Sequence, residues 1–321
     1  MLFYFNDWKY LSFFNVLAGE LMNLIKEINE LKKKRGAVII AHNYQPDEVQ
    51  ALADFTGDSL ELSRKAAELD EDVIVFCGVH FMAETAAILS PEKTILLPDQ
   101  FAGCPMADMI TADQLRARKS DYPDCVVIAY VNSSAAVKAE TDLCCTSSNA
   151  IKIVQSVPED KEILFVPDTH LGHYVQEQIG REMIIWDGYC PTHSRIRDRD
   201  IIREKQDHPN AVVMSHPECP ENIREVSDYL LSTGQMITHA KNSDEKEFIV
   251  ATEMGLLYRL RNENPDKKFY SVSDRALCPN MKKIDAEKVL WSLQDMQHQI
   301  TVPKDISIKA RRSIEAMLEL S

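Results

Sequence analysis

The sequence has too few basic residues and too few cysteines for two common classes of protein. Its 36 lysines and arginines stand against 50 acidic residues, for a formal charge of −14 at pH 7. A dedicated nucleic-acid binder is therefore not the first choice, because such proteins need basic surface to displace phosphate counterions. Eight cysteines in 321 residues fall well below the density of a secreted disulfide scaffold. They indicate free thiols in a reducing cytoplasm, some of them candidate metal ligands.

Long apolar segments are also absent. No window approaches the roughly 18 uninterrupted apolar residues of a membrane span. The aromatic-rich start has neither the basic region nor the cleavage site of a signal peptide. We therefore predict a cytoplasmic protein with no membrane partner. From about Met22 onward, the apolar residues are spaced as in a helix. We therefore interpret residues 1–21 as an extension before the natural start. The alternative is that they form an amphipathic lead-in helix.

What the chain does contain is a repeat of 86 to 88 residues. Apolar, β-branched runs that end in a polar ring residue occur at 37–42, 125–130 and 211–216, and two further apolar runs follow each of them. Continuous apolar strands that alternate with helical segments are typical of parallel sheets covered on both faces. The sequence therefore predicts an α/β protein of three pseudo-symmetric three-layer α/β/α domains with short parallel sheets. We place these βαβαβ repeats at 22–106, 107–192 and 193–280, followed by a C-terminal helical tail at 281–321.

The repeat separates the eight cysteines into three and five. Cys104, Cys190 and Cys278 each follow the third strand of a unit and precede a proline, in steps of 86 and 88 residues. Because α/β folds place ligands at the carboxyl ends of parallel strands, we expect the three thiols to meet at one central site. Zinc would take a fourth Cys or His ligand, whereas an iron–sulfur cube held by three cysteines keeps one iron open as a Lewis acid. His193, three residues after Cys190, is either a fourth ligand or a residue that caps a nearby loop.

Polar residues follow the other strands at the same edge. Three clusters rich in hydroxyl groups, at 56–59, 146–149 and 232–235, are typical helix N-cap sequences. They either simply cap helices or bind carboxylate or phosphate, and we favour anion binding because a chain of charge −14 needs local donors for an anionic substrate. His216 and Glu218 stand close together after another strand, which suggests proton transfer.

Eight motifs together resemble the quinolinate synthase family. In order they are AHNYQP (41–46), GDS (57–59), AYVNS (129–133), DLCCTSSNA (142–150), PDTHLG (167–172), WDGYC (186–190), HPEC (216–219) and CPNMK (278–282). The resemblance runs from about residue 22 to the end. It implies a [4Fe–4S] cluster bound by Cys104, Cys190 and Cys278. It also implies a transferase of NAD biosynthesis that condenses iminoaspartate with dihydroxyacetone phosphate to quinolinate, with loss of phosphate and water.

The resemblance further implies roles for residues of the pocket. Tyr44, His216 and Glu218 would be catalytic. The substrate-binding positions would be His42, Ser59, Tyr130, Asn132, Ser147, Ser232 and Thr233. The iminoaspartate would be supplied by an aspartate oxidase or dehydrogenase.

Three alternatives use some of the same features. Radical enzymes of the diphthamide type also take one cysteine from each of three related domains, but the His-Asn-Tyr and His-Pro-Glu-Cys motifs argue against them. A non-enzymatic iron–sulfur sensor would need a signalling or DNA-binding module, and no basic helix-turn-helix segment occurs. His170 and His173 could bind zinc as a pair, although their spacing alone is not specific.

Overall fold

The computed structural model describes residues 22–321, so the predicted extension at 1–21 lies outside the described residues. The described chain opens with helix α1, which covers 22–35 and buries Ile28 completely, in agreement with the apolar spacing. None of the described helices has the length and apolar composition needed to cross a membrane.

Twelve strands form three four-stranded sheets in the described residues, and all neighbouring strands are parallel. The first sheet has the order β2-β1-β3-β4 and contains β1 (Ala37–His42), β2 (Phe55–Gly57), β3 (Val73–Cys77) and β4 (Thr94–Leu96). The second has the order β6-β5-β7-β8 and contains β5 (Val126–Tyr130), β6 (Leu143–Cys145), β7 (Ile163–Val166) and β8 (Ile184–Ile185). The third has the order β10-β9-β11-β12 and contains β9 (Val212–Ser215), β10 (Tyr229–Leu230), β11 (Glu247–Ala251) and β12 (Lys268–Ser271).

Helices connect the strands in the same order in each unit. The first unit has α2 (Asp47–Leu52), α3 (Ser59–Glu68) and α4 (His80–Leu89) after α1. The second has α5 (Ala112–Asp121), α6 (Ala135–Lys138), α7 (Ala150–Gln155) and α8 (Thr169–Ile179). The third has α9 (Asp198–Asp207), α10 (Glu221–Arg224), α11 (Thr233–Asn242) and α12 (Leu256–Glu263). Short 3-10 helices lie at Ala107–Met109 and His193–Arg195. The predicted fold class of three pseudo-symmetric α/β units is confirmed.

Each sheet repeats one contact that the strand pattern did not predict. An aspartate just before the short edge strand accepts a 2.8 Å hydrogen bond from an amide of the first strand: Asp54 from Ile39, Asp142 from Val127 and Asp228 from Val213. These edge strands, β2, β6 and β10, make four strands per unit where the sequence predicted three. A strand of two or three residues is too short to show a period, but the aspartates recur in the same steps as the repeat and mark its position.

The predicted C-terminal tail consists of α13 (Ala286–Asp295) and α14 (Lys304–Leu320). Helix α14 packs against β6 and α6 of the second unit and α4 of the first, with Ala310, Ile314 and Met317 fully buried. These two helices therefore belong to the core. We propose the predicted unit boundaries, after residues 106, 192 and 280, because each falls between the last strand of one unit and the next long helix.

Candidate active site

A cavity lies where the carboxyl ends of the three sheets converge. Its walls come from the loops and helix starts that follow strands in all three units, including the edge strands β2, β6 and β10. Twelve of the thirteen predicted site residues line it: His42, Tyr44, Ser59, Cys104, Tyr130, Asn132, Ser147, Cys190, His216, Glu218, Thr233 and Cys278. The fold thus brings residues from all three units to one place, as expected from the common edge of parallel strands.

The three Cys-Pro loops share the same pattern of backbone hydrogen bonds. The amide four residues after each cysteine donates to the cysteine carbonyl: Asp108 to Cys104 at 3.2 Å, Ser194 to Cys190 at 3.0 Å and Lys282 to Cys278 at 3.3 Å. The carbonyl two residues before each cysteine accepts a hydrogen bond from a backbone amide that follows β3, β7 or β11. These bonds join Ala102 to His80 at 2.7 Å, Gly188 to Thr169 at 2.7 Å and Ala276 to Met254 at 2.8 Å. Three equivalent turns therefore present the three thiols to the cavity.

The surroundings of these thiols favour their neutral form. Burial raises the pKa of Cys104 to about 12, and it also raises the pKa of Cys190 and of Cys278. The amide three residues after each cysteine points at the sulfur and opposes this rise in pKa; these amides belong to Ala107, His193 and Met281. A bound cation would convert such thiols to thiolates, and the amides would then donate hydrogen bonds to the sulfur atoms.

A chain of short contacts crosses the cavity from Tyr44 to Glu218. The Tyr44 hydroxyl lies 2.5 Å from Thr252 Oγ1, and Thr252 Oγ1 lies 2.8 Å from His193 Nε2. His193 Nδ1 is in turn 2.7 Å from an oxygen of Glu218. Burial raises the pKa of Tyr44 well above its usual value, so its hydroxyl keeps its proton at neutral pH. The chain links a proton donor to a buried carboxylate through one hydroxyl and one imidazole.

Glu218 is held in its ionised form. The Tyr130 hydroxyl donates to its carboxylate at 2.5 Å and the Asn132 amide donates at 3.3 Å. Burial by itself would raise the pKa of Glu218, but the His193 ring and the Tyr130 hydroxyl outweigh it and hold this pKa below its usual value. Glu218 is therefore the anionic end of the chain.

Two further imidazoles are neutral. Burial lowers the pKa of both His42 and His216 to about 3. His216 Nε2 lies 3.1 Å from the Ser147 hydroxyl, and its ring stacks on His193 with the centroids 4.8 Å apart. As neutral rings, they can donate a hydrogen bond to a substrate or accept one from it without adding positive charge to the cavity.

The hydroxyl clusters divide between helix capping and the cavity. Asp58 caps α3 by accepting from the amides of Leu60 and Glu61, both at 2.9 Å. Ser232 caps α11 through the amide of Gln235 at 3.3 Å and is buried outside the cavity lining. Side-chain caps therefore already bond two N-terminal amides of α3 and one of α11, whereas Asn149 makes no side-chain cap hydrogen bond to α7. Four cluster residues with hydroxyls line the cavity: Ser59, Ser147, Thr233 and Thr146, the last with its hydroxyl 2.8 Å from that of Ser148.

Two important residues lacked a prediction. Thr252 and Glu253 directly follow β11, an inner strand of the third sheet, and both side chains are fully buried. Their position at the carboxyl end of a strand was the signal that could have identified them. His170 and His173 stand on α8, and they are not part of the one group of three or more metal-capable side chains found in residues 22–321.

Known proteins resemble the chain over most of its length. It matches the family model described as quinolinate synthetase A protein over residues 26–319. A quinolinate synthase of Dehalococcoides mccartyi is 56% identical over 295 residues, which are 92% of this chain and 97% of that protein. Those of Thermodesulfovibrio yellowstonii and Methanosarcina barkeri are 52% identical over 297 residues and 51% identical over 295 residues; the matches cover 92% of this chain in both cases, and 98% and 97% of the relatives. The chain therefore belongs to the quinolinate synthetase A protein family, as its motifs predict.

Proposed function

We propose that this enzyme of NAD biosynthesis condenses iminoaspartate with dihydroxyacetone phosphate to quinolinate, releasing phosphate and water, as a transferase. Family membership supports an enzyme of this pathway. The observation that carries the proposed chemistry is the meeting of three equivalent Cys-Pro loops and the Tyr44–Glu218 contact chain in one cavity. The overall equation balances without an external oxidant or reductant, so the site needs Lewis-acid and acid–base groups rather than an electron donor.

The donor set fits a [4Fe–4S] cluster. Cys104, Cys190 and Cys278 would hold it, since they offer three thiols from equivalent turns with backbone amides directed at the sulfur atoms. When bound by three cysteines, such a cluster supplies an open iron that acts as a Lewis acid toward hydroxyl or carboxylate oxygen.

Hydroxyl groups from three units would hold the anionic groups of the substrates. Ser59 and Thr233 stand at the first positions of α3 and α11, and Ser147 precedes α7. Neutral donors suit a cavity that already contains the Glu218 carboxylate. Because Asp58 already accepts from two N-terminal amides of α3 and Ser232 from one of α11, we infer that the side-chain hydroxyls bind the carboxylates or the phosphate. His42, Tyr130 and Asn132 complete the binding surface.

The contact chain would move protons during imine formation and dehydration. Tyr44 would donate a proton at its hydroxyl and would recover one through Thr252 from a protonated His193 ring. That ring would become neutral and would be reprotonated by the proton that the substrate releases during imine formation. Glu218 would stabilise the positive charge that passes through the His193 ring, because the two groups lie 2.7 Å apart in a buried site. His216 would exchange a proton or hydrogen bond with substrate beside Ser147.

The location and supply of the reaction follow from the same chemistry. All eight cysteines are free thiols, which favours the cytoplasm. Iminoaspartate hydrolyses readily as an unsubstituted imine, so an aspartate oxidase or dehydrogenase must supply it close to the time of use.

One pair of variants tests the proposal. Cys190→Ala should abolish both the visible absorption of the cluster and quinolinate formation in anaerobic preparations. Cys125→Ala is the matched control, since Cys125 lies outside the cavity lining, and it should keep both. An active, colourless Cys190→Ala protein would contradict the proposal. A colour-bearing wild-type protein that forms no quinolinate from fresh iminoaspartate would favour the sensor alternative.

A further inference from the structure

Cys190, His193 and Glu218 form a second kind of ligand set within the cavity. One ligand atom from each lies within 4.8 Å of the other two, and no other group of three or more His, Cys, Asp or Glu side chains in the described chain meets this condition. The side chains of His193 and Glu218 are 1% and 4% exposed. Thiolate, imidazole and carboxylate are the three ligand types that a zinc-like divalent cation takes in proteins.

One nitrogen of the buried His193 ring, Nδ1, has no hydrogen-bond partner. Its Nε2 is engaged with Thr252 at 2.8 Å, whereas Nδ1 lies 2.7 Å from Glu218 without an aligned hydrogen bond. If Nε2 carries the ring proton, Nδ1 presents a lone pair to a carboxylate oxygen. Two buried acceptors at that distance repel each other unless a proton or a cation lies between them.

Neighbouring groups orient all three ligands. Cys190 and His193 lie on one turn, closed by the bond from the Ser194 amide to the Cys190 carbonyl at 3.0 Å. Tyr130 and Asn132 fix the Glu218 carboxylate, and Thr252 fixes the His193 ring. Hydrogen bonds from outside the ligand set are what orient imidazole and carboxylate ligands in protein metal sites.

We propose that the cluster-free chain binds one zinc-like divalent cation through Cys190 Sγ, His193 Nδ1 and a Glu218 oxygen. Ligand distances of about 2.0–2.3 Å place the ligand atoms about 3.3–3.6 Å apart, so His193 and Glu218 need to separate by less than about 1 Å. Water takes the fourth position. The ion binds Cys190 and two residues of the Tyr44–Glu218 contact chain, so it blocks both insertion of the cluster and catalysis. This competition rests on the proposed function, whereas the cation site itself does not.

Cobalt titration of the full-length, cluster-free chain tests the site under anaerobic conditions. Wild-type protein should bind one Co²⁺ per chain, with a single thiolate-to-cobalt charge-transfer band and the intense visible bands of tetrahedral cobalt. Stoichiometric Zn²⁺ should displace it, whereas an equal amount of Fe²⁺ should not, because sulfur-containing sites favour zinc. Zinc-loaded protein should then fail to take up a cluster until a chelator removes the metal.

Variants separate this site from the three cysteines of the proposed cluster. Cys190→Ser should remove the charge-transfer band, and His193→Ala, His193→Gln and Glu218→Gln should each lower cobalt affinity at least about tenfold. Cys104→Ser and Cys278→Ser are the controls and should leave cobalt binding unchanged; circular dichroism confirms that each variant is folded.

Two results would overturn the inference: loss of cobalt binding in Cys104→Ser, which would place the ion among the cysteines, or full affinity in both folded His193 variants. Since no measurement of cobalt binding uses quinolinate formation, a failed cation site leaves the proposed function standing, and an inactive cluster-loaded enzyme leaves the cation site standing.

Discussion

Lys282 and Glu253 form an ion pair that ties the first unit to the third beside the cavity. Lys282 Nζ lies 2.9 Å from Glu253 Oε1 and also donates to the backbone carbonyl of Tyr44. Glu253 accepts from the amide of Cys278 at 3.0 Å and from that of Gly255 at 2.7 Å. One pair of charges therefore positions the backbone of a proposed catalytic tyrosine and of a proposed cluster ligand.

Removing the charge of Lys282 should destabilise the protein. Lys282→Met leaves the fully buried Glu253 without its partner, and we expect a loss of about 3 kcal/mol in the free energy of unfolding. The double variant Lys282→Met/Glu253→Gln should recover part of this loss. Lys246→Met, which breaks the exposed pair with Asp266, should cost less than about 1 kcal/mol. Urea unfolding gives these values, and equal losses for the two lysine variants would refute the positioning role.

The Thr252 hydroxyl should be necessary for turnover. Thr252→Val removes the oxygen between Tyr44 and His193 at nearly constant volume, so we expect kcat for quinolinate formation to fall about 100-fold with the cluster content unchanged. Thr252→Ser keeps the hydroxyl and should stay within about tenfold of the wild type. A valine variant with wild-type kcat would show that protons reach Tyr44 by another route.

Ser147 and Ser232 should respond differently to loss of the hydroxyl. Ser147 faces the cavity, so Ser147→Ala should lower kcat/KM about 10- to 100-fold, the loss expected for one hydrogen bond to an anionic group. Its thermal stability should stay near the wild-type value. Ser232 caps α11, so Ser232→Ala should cost about 1 kcal/mol of stability. If Ser232→Ala instead changes only KM, the assignment of Ser232 to capping is wrong.

Asp58 should make stability depend on pH. Burial raises its pKa from 3.8 in the unfolded chain to about 6 in the folded protein. For an acid with a raised folded pKa, the stabilising contribution is complete below pH 3.8 and is lost as the pH rises through 6. Asp58→Asn keeps the cap without titrating, so it should gain up to about 3 kcal/mol relative to wild type between pH 4 and pH 7.

Unfolding measured at several pH values across this range tests the prediction. A stability difference between Asp58→Asn and the wild type that does not change with pH would contradict it. Close packing against Gly234 accounts for the burial of the Asp58 carboxylate. A Cβ at Gly234 would lie 2.7 Å from Asp58 Oδ2, so α11 approaches the carboxylate as closely as glycine permits.

The linear sequence was sufficient to determine the three-unit fold and the convergence of most site residues. Apolar runs and Cys-Pro pairs recur in nearly equal steps, and parallel strands bring residues that follow them to one edge, so a one-dimensional period predicts a three-dimensional cluster. The sequence did not predict the edge strands β2, β6 and β10. They are only two or three residues long, and they are strands because they pair with a neighbouring strand.

Tertiary structure alone decided which polar groups pair with each other. Ser232 and Thr233 are adjacent in sequence, yet one caps a helix and the other faces the cavity, because successive side chains at a helix start point in different directions. The 2.8 Å contact of Thr252 with His193 joins residues 59 positions apart, and no local pattern encodes such a distance. Packing of the units also sets the charges: it places the His193 ring and the Tyr130 hydroxyl against Glu218, which lower its pKa and keep it an anion, and it buries His216, which lowers that pKa and keeps the ring neutral.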